Sequence, residues 1–219
     1  MRVTKSLKQQ MVNRLEEHYQ GAVIALHYNT PFELLIAVIL SAQCTDERVN
    51  IITARLFPAY GSPDKLLELG QEGLEEKIRD CGLFRSKARN ILAACAILCR
   101  EYGGEVPHDF DALTALPGVG RKTANVVLSQ LFQVPAIAVD THVFRVSNRL
   151  GLAKGSTPLA VEEGLMKAIP RDKWAEAHHW LIWHGRKVCK ARNPACGTCP
   201  LADLCPEHRK QMKRAVAVK

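Results

Sequence analysis

Helix-starting signals recur along almost the whole of this chain, and they constrain the fold before any other feature does. Thr30-Pro31-Phe32-Glu33 sets a capping hydroxyl before a proline at the first helical position, with a glutamate three residues after the cap. The following FELLIAVILSAQ is apolar on nearly every side, which predicts a helix buried inside a helical domain. Ser62-Pro63 and Thr157-Pro158 repeat the start. Ser86 opens SKARNILAACAILCREY, with Ile91, Cys95, Leu98 and Tyr102 at helical spacing before Gly103-Gly104. Leu7, Met11 and Leu15 form a similar stripe behind Ser6. Only VPAIAV, residues 134–139, reads as extended, and it is too short and solitary to build a sheet. The predicted fold class is all-α.

A chain of 219 residues has room for one large or two small domains and needs no disulfides to hold a core. Its 47% apolar and 24% charged residues exclude a disordered or collagen-like chain. The longest apolar run, Leu34 to Leu40, is far shorter than the roughly 18 residues of a membrane span. Behind the charged MRVTKSLKQQ lies no apolar segment, so no signal peptide is visible. A soluble, cytoplasmic protein is expected.

The net charge is +8, and its placement says more than its size. Residues from His184 to Lys219 carry +7, against +1 for all that precede them. A localised basic segment is the footprint of a nucleic-acid binder; a solvated basic tail is the plain alternative. The same segment holds Cys189, Cys196, Cys199 and Cys205, spaced C-x6-C-x2-C-x5-C among Pro194, Gly197 and Pro200. Without a secretory signal these thiols stay reduced, and four thiolates on one short loop converge on a metal centre. A single tetrahedral zinc and an iron–sulfur cluster both accept four cysteines; the lone C-x2-C knuckle leans toward iron–sulfur. Cys44, Cys81, Cys95 and Cys99 read instead as small hydrophobes in the core.

Between FDALTA and ANVVLSQLF lies Leu116-Pro117-Gly118-Val119-Gly120-Arg121-Lys122-Thr123-Ala124. Two glycines around one apolar residue permit a tight turn, and the amides at the next helix start form a site for a phosphate. Arg121 and Lys122 sit where the helix dipole repels positive charge, which calls for a purpose. A partly desolvated Lys122 there would have a lowered pKa and act as an amine nucleophile. Asp140, eighteen residues later, falls between the extended segment and the helix HVFRVSNRL. As a lone residue it reads as a cap; beside a helix-start lysine it gains a second use, accepting a proton or stabilising charge on a sugar ring.

LPGVGRKTANVVL, then VDTHVFRVSNRLGL, then the four-cysteine spacing together resemble the endonuclease III family, over about Leu7 to Cys205. The resemblance implies a DNA glycosylase with lyase activity, acting on oxidised pyrimidines and abasic sites in double-stranded DNA. It also implies a helix-hairpin-helix at about 110–130 and a 4Fe-4S cluster on Cys189, Cys196, Cys199 and Cys205. Two helical domains follow from it, with the active site in the cleft: a six-helix barrel over 22–134, and a cluster domain built from 1–21 and 135–219 with its cluster loop at 189–205. A monomer without a membrane partner is expected, working in the cytoplasm on the nucleoid.

By the same resemblance Lys122 attacks the sugar's C1′ and releases the base, and the Schiff base then permits β-elimination, with Asp140 assisting. Gln43 matches the residue that fills the gap left by the flipped nucleotide, and Leu83 the apolar wedge; from the residues alone they read as a helix end and as core. Base extrusion costs a few kcal/mol, so a wedge and a filler have a physical purpose. Gly118, Val119, Gly120 and Arg121 would meet the DNA backbone. His142 matches a position next to the catalytic carboxylate. Lys190 and Arg192, in the first loop of the cluster, would meet phosphates. Cys44 stands where a small residue such as alanine is expected.

Two other readings compete. The related adenine-specific mismatch glycosylase shares hairpin and cluster, but lacks the lysine and carries a further carboxy-terminal domain; here Lys122 is present and the chain ends 14 residues after Cys205. A noncatalytic, zinc-containing DNA-binding module would use the hairpin only to hold phosphates, leaving Lys122 and Asp140 without a role.

Overall fold

The computed structural model describes residues 3–217; Lys219, counted in the basic terminus, lies outside them. Every regular element among the described residues is helical. The backbone divides into two compact units, Ala25–Val134 and the combined segments Met1–Ile24 and Pro135–Lys219.

The unit Ala25–Val134 holds α2 (Pro31–Leu40), α3 (Asp46–Tyr60), α4 (Pro63–Glu68), α5 (Gly70–Lys77), α6 (Phe84–Tyr102), α7 (Phe110–Ala115) and α8 (Arg121–Leu131). Helix α2 is its axis: every residue from Phe32 to Leu40 is buried. The Thr30 hydroxyl accepts from the Glu33 amide at 3.1 Å, while Glu33 reaches back to the Asn29 amide at 2.6 Å. This reciprocal cap starts a helix that has no polar face of its own. Helices α6 and α8 pack against it, and they bury Ala88, Ile91, Ala94, Cys95 and Leu98 of α6 and Ala124, Val126, Val127 and Leu128 of α8. Truncating a central residue such as Leu35 to alanine is worth roughly 2–5 kcal/mol, because rigid helices close poorly over the void.

Several local expectations change. Ser62 makes no side-chain cap to α4; its hydroxyl serves the Asp64 carboxylate instead. Helix α6 starts at Phe84, two residues before Ser86, because Leu83 turns the chain in the left-handed region. Cys99 is exposed and Cys44 half-buried, so of the four solitary cysteines only Cys81 and Cys95 lie in the core.

The other unit joins α1 (Lys5–His18) to α9 (Thr141–Leu150), α10 (Pro158–Ala168), α11 (Trp174–Lys187) and α12 (Pro206–Ala217). Thr4, rather than Ser6, caps α1, accepting from the Leu7 amide at 3.2 Å. Met11, Val12 and Leu15 of α1 pack with Val143, Val146 and Leu150 of α9 and Trp180 and Leu181 of α11. This core ties the amino terminus to the last third of the chain. Arg14 reinforces it by a two-pronged contact with Asp203 and a bond to the Pro200 carbonyl.

Candidate active site and metal centre

The hairpin site begins at α7, which Asp109 caps through the Ala112 amide at 2.9 Å. Leu116 leaves the helix in an extended conformation, and Gly118 turns it with φ +82°. A Cβ on Gly118 would stand 3.1 Å from Cβ of Asn90 and 3.5 Å from Ile39, so the turn is seated against α6 and α2. Val119 is buried and anchors the loop. Gly120 is the N-cap of α8 and has no side chain to offer, so the first turn of α8 carries no side-chain cap. Those amides, with the positive end of the helix dipole, are disposed to receive an anion.

Lys122 lies on that first turn and is exposed. The expected partial desolvation is therefore not found among the described residues. The amine stands at the outer end of α8, where burial must come from whatever docks there. The Arg121 guanidinium lies 5.1 Å from the Phe110 ring centroid, which directs it along the hairpin.

Gln43 and Leu83 come together in the same unit. Both have left-handed backbones, with φ 55° and 59°, a conformation that bulky side chains adopt at a cost. A Cβ on Gly82 would lie 3.0 Å from the Gln43 carbonyl oxygen, so the two loops touch through backbone. Leu83 is 57% exposed, which removes the core alternative for it. An apolar side chain held out on a strained turn is the form a wedge requires.

Asp140 is the N-cap of α9, and its Oδ1 accepts from the Val143 amide at 2.7 Å. The capping alternative is thus correct as far as it goes, and among the described residues Oδ2 has no hydrogen-bond partner. His142 is half-buried, its Nδ1 3.1 Å from Arg145 Nη2. Its Cβ packs where Gly185 lets α11 approach: a Cβ on Gly185 would lie 2.8 Å from it.

Helix α9 then braces the cysteine loop, a role the sequence reading missed. Arg145 donates to the carbonyls of Cys189 at 3.0 Å and Gly185 at 2.9 Å. One turn on, Arg149 donates to the carbonyls of Lys190 at 2.7 Å and Ala191 at 3.0 Å, and to Cys189 Sγ at 3.5 Å. The four-residue spacing of two arginines on one helix face was the available signal. Lys190 and Arg192 project outward and are exposed.

Cys189, Cys196, Cys199 and Cys205 line one cavity with Leu150, His184 and Val188. A single zinc, with Zn–S bonds of about 2.3 Å, draws its sulfurs to roughly 3.8 Å of one another and leaves no cavity between them. Sulfurs ringing a cavity suit a multi-iron group. Donors also point at the sulfurs: the Leu201 amide lies 3.4 Å from Cys199 Sγ, and His184 Nε2 lies 3.8 Å from it. The Tyr19 hydroxyl meets His184 Nδ1 at 2.9 Å, and burial pushes this imidazole down to about 4. The ring thus links the Tyr19 hydroxyl and the Cys199 sulfur through its two nitrogens. Such N–H···S contacts are what a cluster's sulfurs accept.

A hairpin-led helix carrying a lysine, an aspartate cap and a four-thiolate loop define a DNA-repair enzyme of the helix-hairpin-helix class. Residues 36–171 match the model of the HhH-GPD superfamily base excision DNA repair proteins, and 189–205 match the iron–sulfur binding domain of endonuclease III. Endonuclease III of Rickettsia conorii (strain ATCC VR-613 / Malish 7) is 54% identical over 91% of this chain and 97% of its own. That of Escherichia coli (strain K12) is 51% identical over 93% and 96%. A trapped endonuclease III–DNA covalent intermediate superposes with a TM-score of 0.92 at 51% identity, covering 95% of this chain and 99% of that one. The chain belongs to the endonuclease III family. It is a DNA-binding base excision repair enzyme, a DNA glycosylase with AP lyase activity, and its cofactor is a 4Fe-4S cluster. Neither the adenine-specific mismatch glycosylase nor the noncatalytic binder is favoured. Among the described residues no helix is long and apolar enough to cross a membrane.

Proposed function

We propose that Lys122 is the nucleophile and Asp140 its proton-handling partner in the removal of oxidised pyrimidines from double-stranded DNA. Lys122 Nζ bonds to the sugar's C1′ as the glycosidic bond breaks and the damaged base leaves with the electron pair. Asp140 Oδ2 takes a proton from the attacking amine, while Oδ1 holds the carboxylate in place through the α9 cap. The resulting Schiff base acidifies C2′; loss of that proton expels the 3′ phosphate, and water then releases the lysine. Abasic sites enter the same sequence after the first bond-breaking step.

Lys122 on the uncapped first turn of α8 carries this assignment, because amine and phosphate-binding amides share one turn. The trapped covalent intermediate of a 51% identical relative supports an enzyme–DNA bond here too. Gly118, Val119, Gly120 and Arg121 grip the backbone beside it, Leu83 wedges the stack, and Gln43 fills the vacated space. His142 positions Arg145 and the DNA-facing start of α9. Cys189, Cys196, Cys199 and Cys205 would hold the cluster; when bound, it supplies four fixed points that template the loop carrying Lys190 and Arg192. The functional division is a hairpin barrel over 22–134 and a cluster domain over 1–21 and 135–219, in a monomer acting on the nucleoid in the cytoplasm.

Borohydride trapping on abasic duplex DNA tests the nucleophile. Lys122→Gln should abolish the covalent adduct and the glycosylase reaction while still binding abasic DNA. Trapping at the wild-type rate would assign the chemistry to another amine.

A further inference from the structure

Cys44 and Cys81 lie at the roots of the two loops that meet the DNA, and the mechanism above uses neither. Cys44 directly follows Gln43, and only Gly82 separates Cys81 from Leu83. The loops touch through the Gly82 backbone and the Gln43 carbonyl. Cys81 is buried and donates to the Leu40 carbonyl at 3.3 Å; Cys44 is half-buried, within reach of a small reagent, and is among the groups that raise the Cys81 thiol. Lys87, only 5% exposed, places Nζ 3.0 Å from Cys81 Sγ and 2.8 Å from the Leu40 carbonyl. Burial pushes the Cys81 thiol up, and the neighbouring ammonium opposes that shift. A buried lysine holding a thiol, with no carboxylate in ion-pair distance among the described residues, is unusual in a hydrophobic core.

We propose that Cys44 and Cys81 form a reversible disulfide when low-molecular-weight disulfides accumulate, and that this bond halts lesion processing by tying the Gln43 loop to the Leu83 loop. Cys44 gives up its proton to solvent as its sulfur attacks the small disulfide, forming a mixed disulfide and releasing one small thiolate, which takes up a proton. Cys81 gives up its proton, with Lys87 stabilising the anion, and its sulfur attacks Cys44. The second small thiolate leaves and takes the proton. Two protein thiols and one small disulfide thereby become one protein disulfide and two small thiols. The inhibitory half rests on the assignment of Gln43 and Leu83 to the wedge and filler roles.

The test treats the cluster-loaded, full-length enzyme with oxidised glutathione under anaerobic conditions. Peptide mapping should find a Cys44–Cys81 cross-link, about 2 Da lighter than the reduced pair. Cleavage of a duplex containing an oxidised pyrimidine should fall at least about tenfold and return with dithiothreitol, while the cluster's visible absorbance stays constant. Cys44→Ala should show neither change. Exposed Cys99 is an internal control for reagent access. Glutathione on Cys99 with no Cys44–Cys81 cross-link would overturn the proposal. A cross-link that leaves cleavage intact would overturn its inhibitory half, provided that reduced Gln43→Ala or Leu83→Ala is impaired; full activity in both would locate the failure in the wedge and filler assignment instead.

Discussion

The Val143 amide donates to Asp140 Oδ1 at 2.7 Å, so the carboxylate proposed for proton transfer is also the one that starts α9. Structure and chemistry can be separated there by two substitutions. Asp140→Asn keeps an acceptor for the Val143 amide and should lie within about 0.5 kcal/mol of wild type in denaturant unfolding. Asp140→Ala leaves the amide uncapped and should lose about 1 kcal/mol. Both should lose glycosylase activity by roughly 100-fold or more, the range of a lost acid–base group. Asn should retain some borohydride trapping on abasic DNA, since Lys122 is intact and no base must be displaced. Equal activity in wild type and Asn would reduce Asp140 to a cap.

Arg149 fixes the first loop of the cluster by two carbonyls and one sulfur. In Arg149→Ala these acceptors turn to solvent, at a cost of about 2 kcal/mol for charge-assisted bonds. Loss of visible cluster absorbance in chelator should be faster than in wild type. Arg149→Lys should restore little, because a point ammonium cannot span two carbonyls and a sulfur in one plane. An unchanged rate of cluster loss in the alanine variant would show that the thiolates alone hold the loop.

Burial pushes the His179 imidazole down to about 4, with the charge of Arg186 adding to the shift. The unfolded chain, with a histidine near 6.5, then binds more protons than the native one between pH of about 6.5 and 4. Stability is fully present above that window and falls as pH drops through it, by about 2 kcal/mol between pH 7 and pH 5 from this residue. Urea unfolding at the two pH values should show that slope, and His179→Gln should flatten it at equal cluster content. A slope identical in wild type and variant would assign the acid sensitivity to other groups.

What the sequence disclosed here is what local chemistry decides. The Thr30 cap, the nearly all-apolar α2 and the glycine turn before Lys122 follow from neighbours within four residues, and each is found in place. The cysteine spacing likewise marked the loop that closes around one cavity. Contacts made across long stretches of chain were not legible. The Arg149 bonds to Lys190 and Ala191 span 41 and 42 residues, and a helix-face arginine reads as solvated until its partners are known. Lys87 has the same history: its burial depends on the Leu40 carbonyl, 47 residues away. The left-handed turns at Gln43 and Leu83 were hidden for another reason, since neither residue type prefers that backbone and only tertiary packing imposes it. Lys122 was expected to be partly desolvated, but on the first turn after the hairpin its side chain is exposed.

If Lys190 and Arg192 meet phosphates, each contributes to counterion release on binding. Lys190→Ala and Arg192→Ala should each lower the slope of log affinity against log salt by about one unit without changing lesion preference. Both side chains are exposed, so folding should be unaffected. The same slope in the double variant and wild type would remove this loop from the DNA interface.

Leu83 offers the sharpest separation of stability from function. Its side chain is 57% exposed and its backbone sits at φ 59°, so the fold gains little from the leucine and carries the cost of the turn. For a residue with a Cβ that cost is about 1–2 kcal/mol. Leu83→Gly removes it, offset in part by the added freedom of the unfolded chain. The variant should melt about 2–4 °C higher than wild type. Without a wedge, its cleavage of a duplex containing an oxidised pyrimidine should fall by about ten- to a hundredfold, as unstacking costs a few kcal/mol. Trapping on a single-stranded abasic oligonucleotide, where no stack has to be opened, should change much less. A lower melting temperature would mean that Leu83 is packed for stability; equal losses on both substrates would mean that it acts on the chemistry and not on the stack.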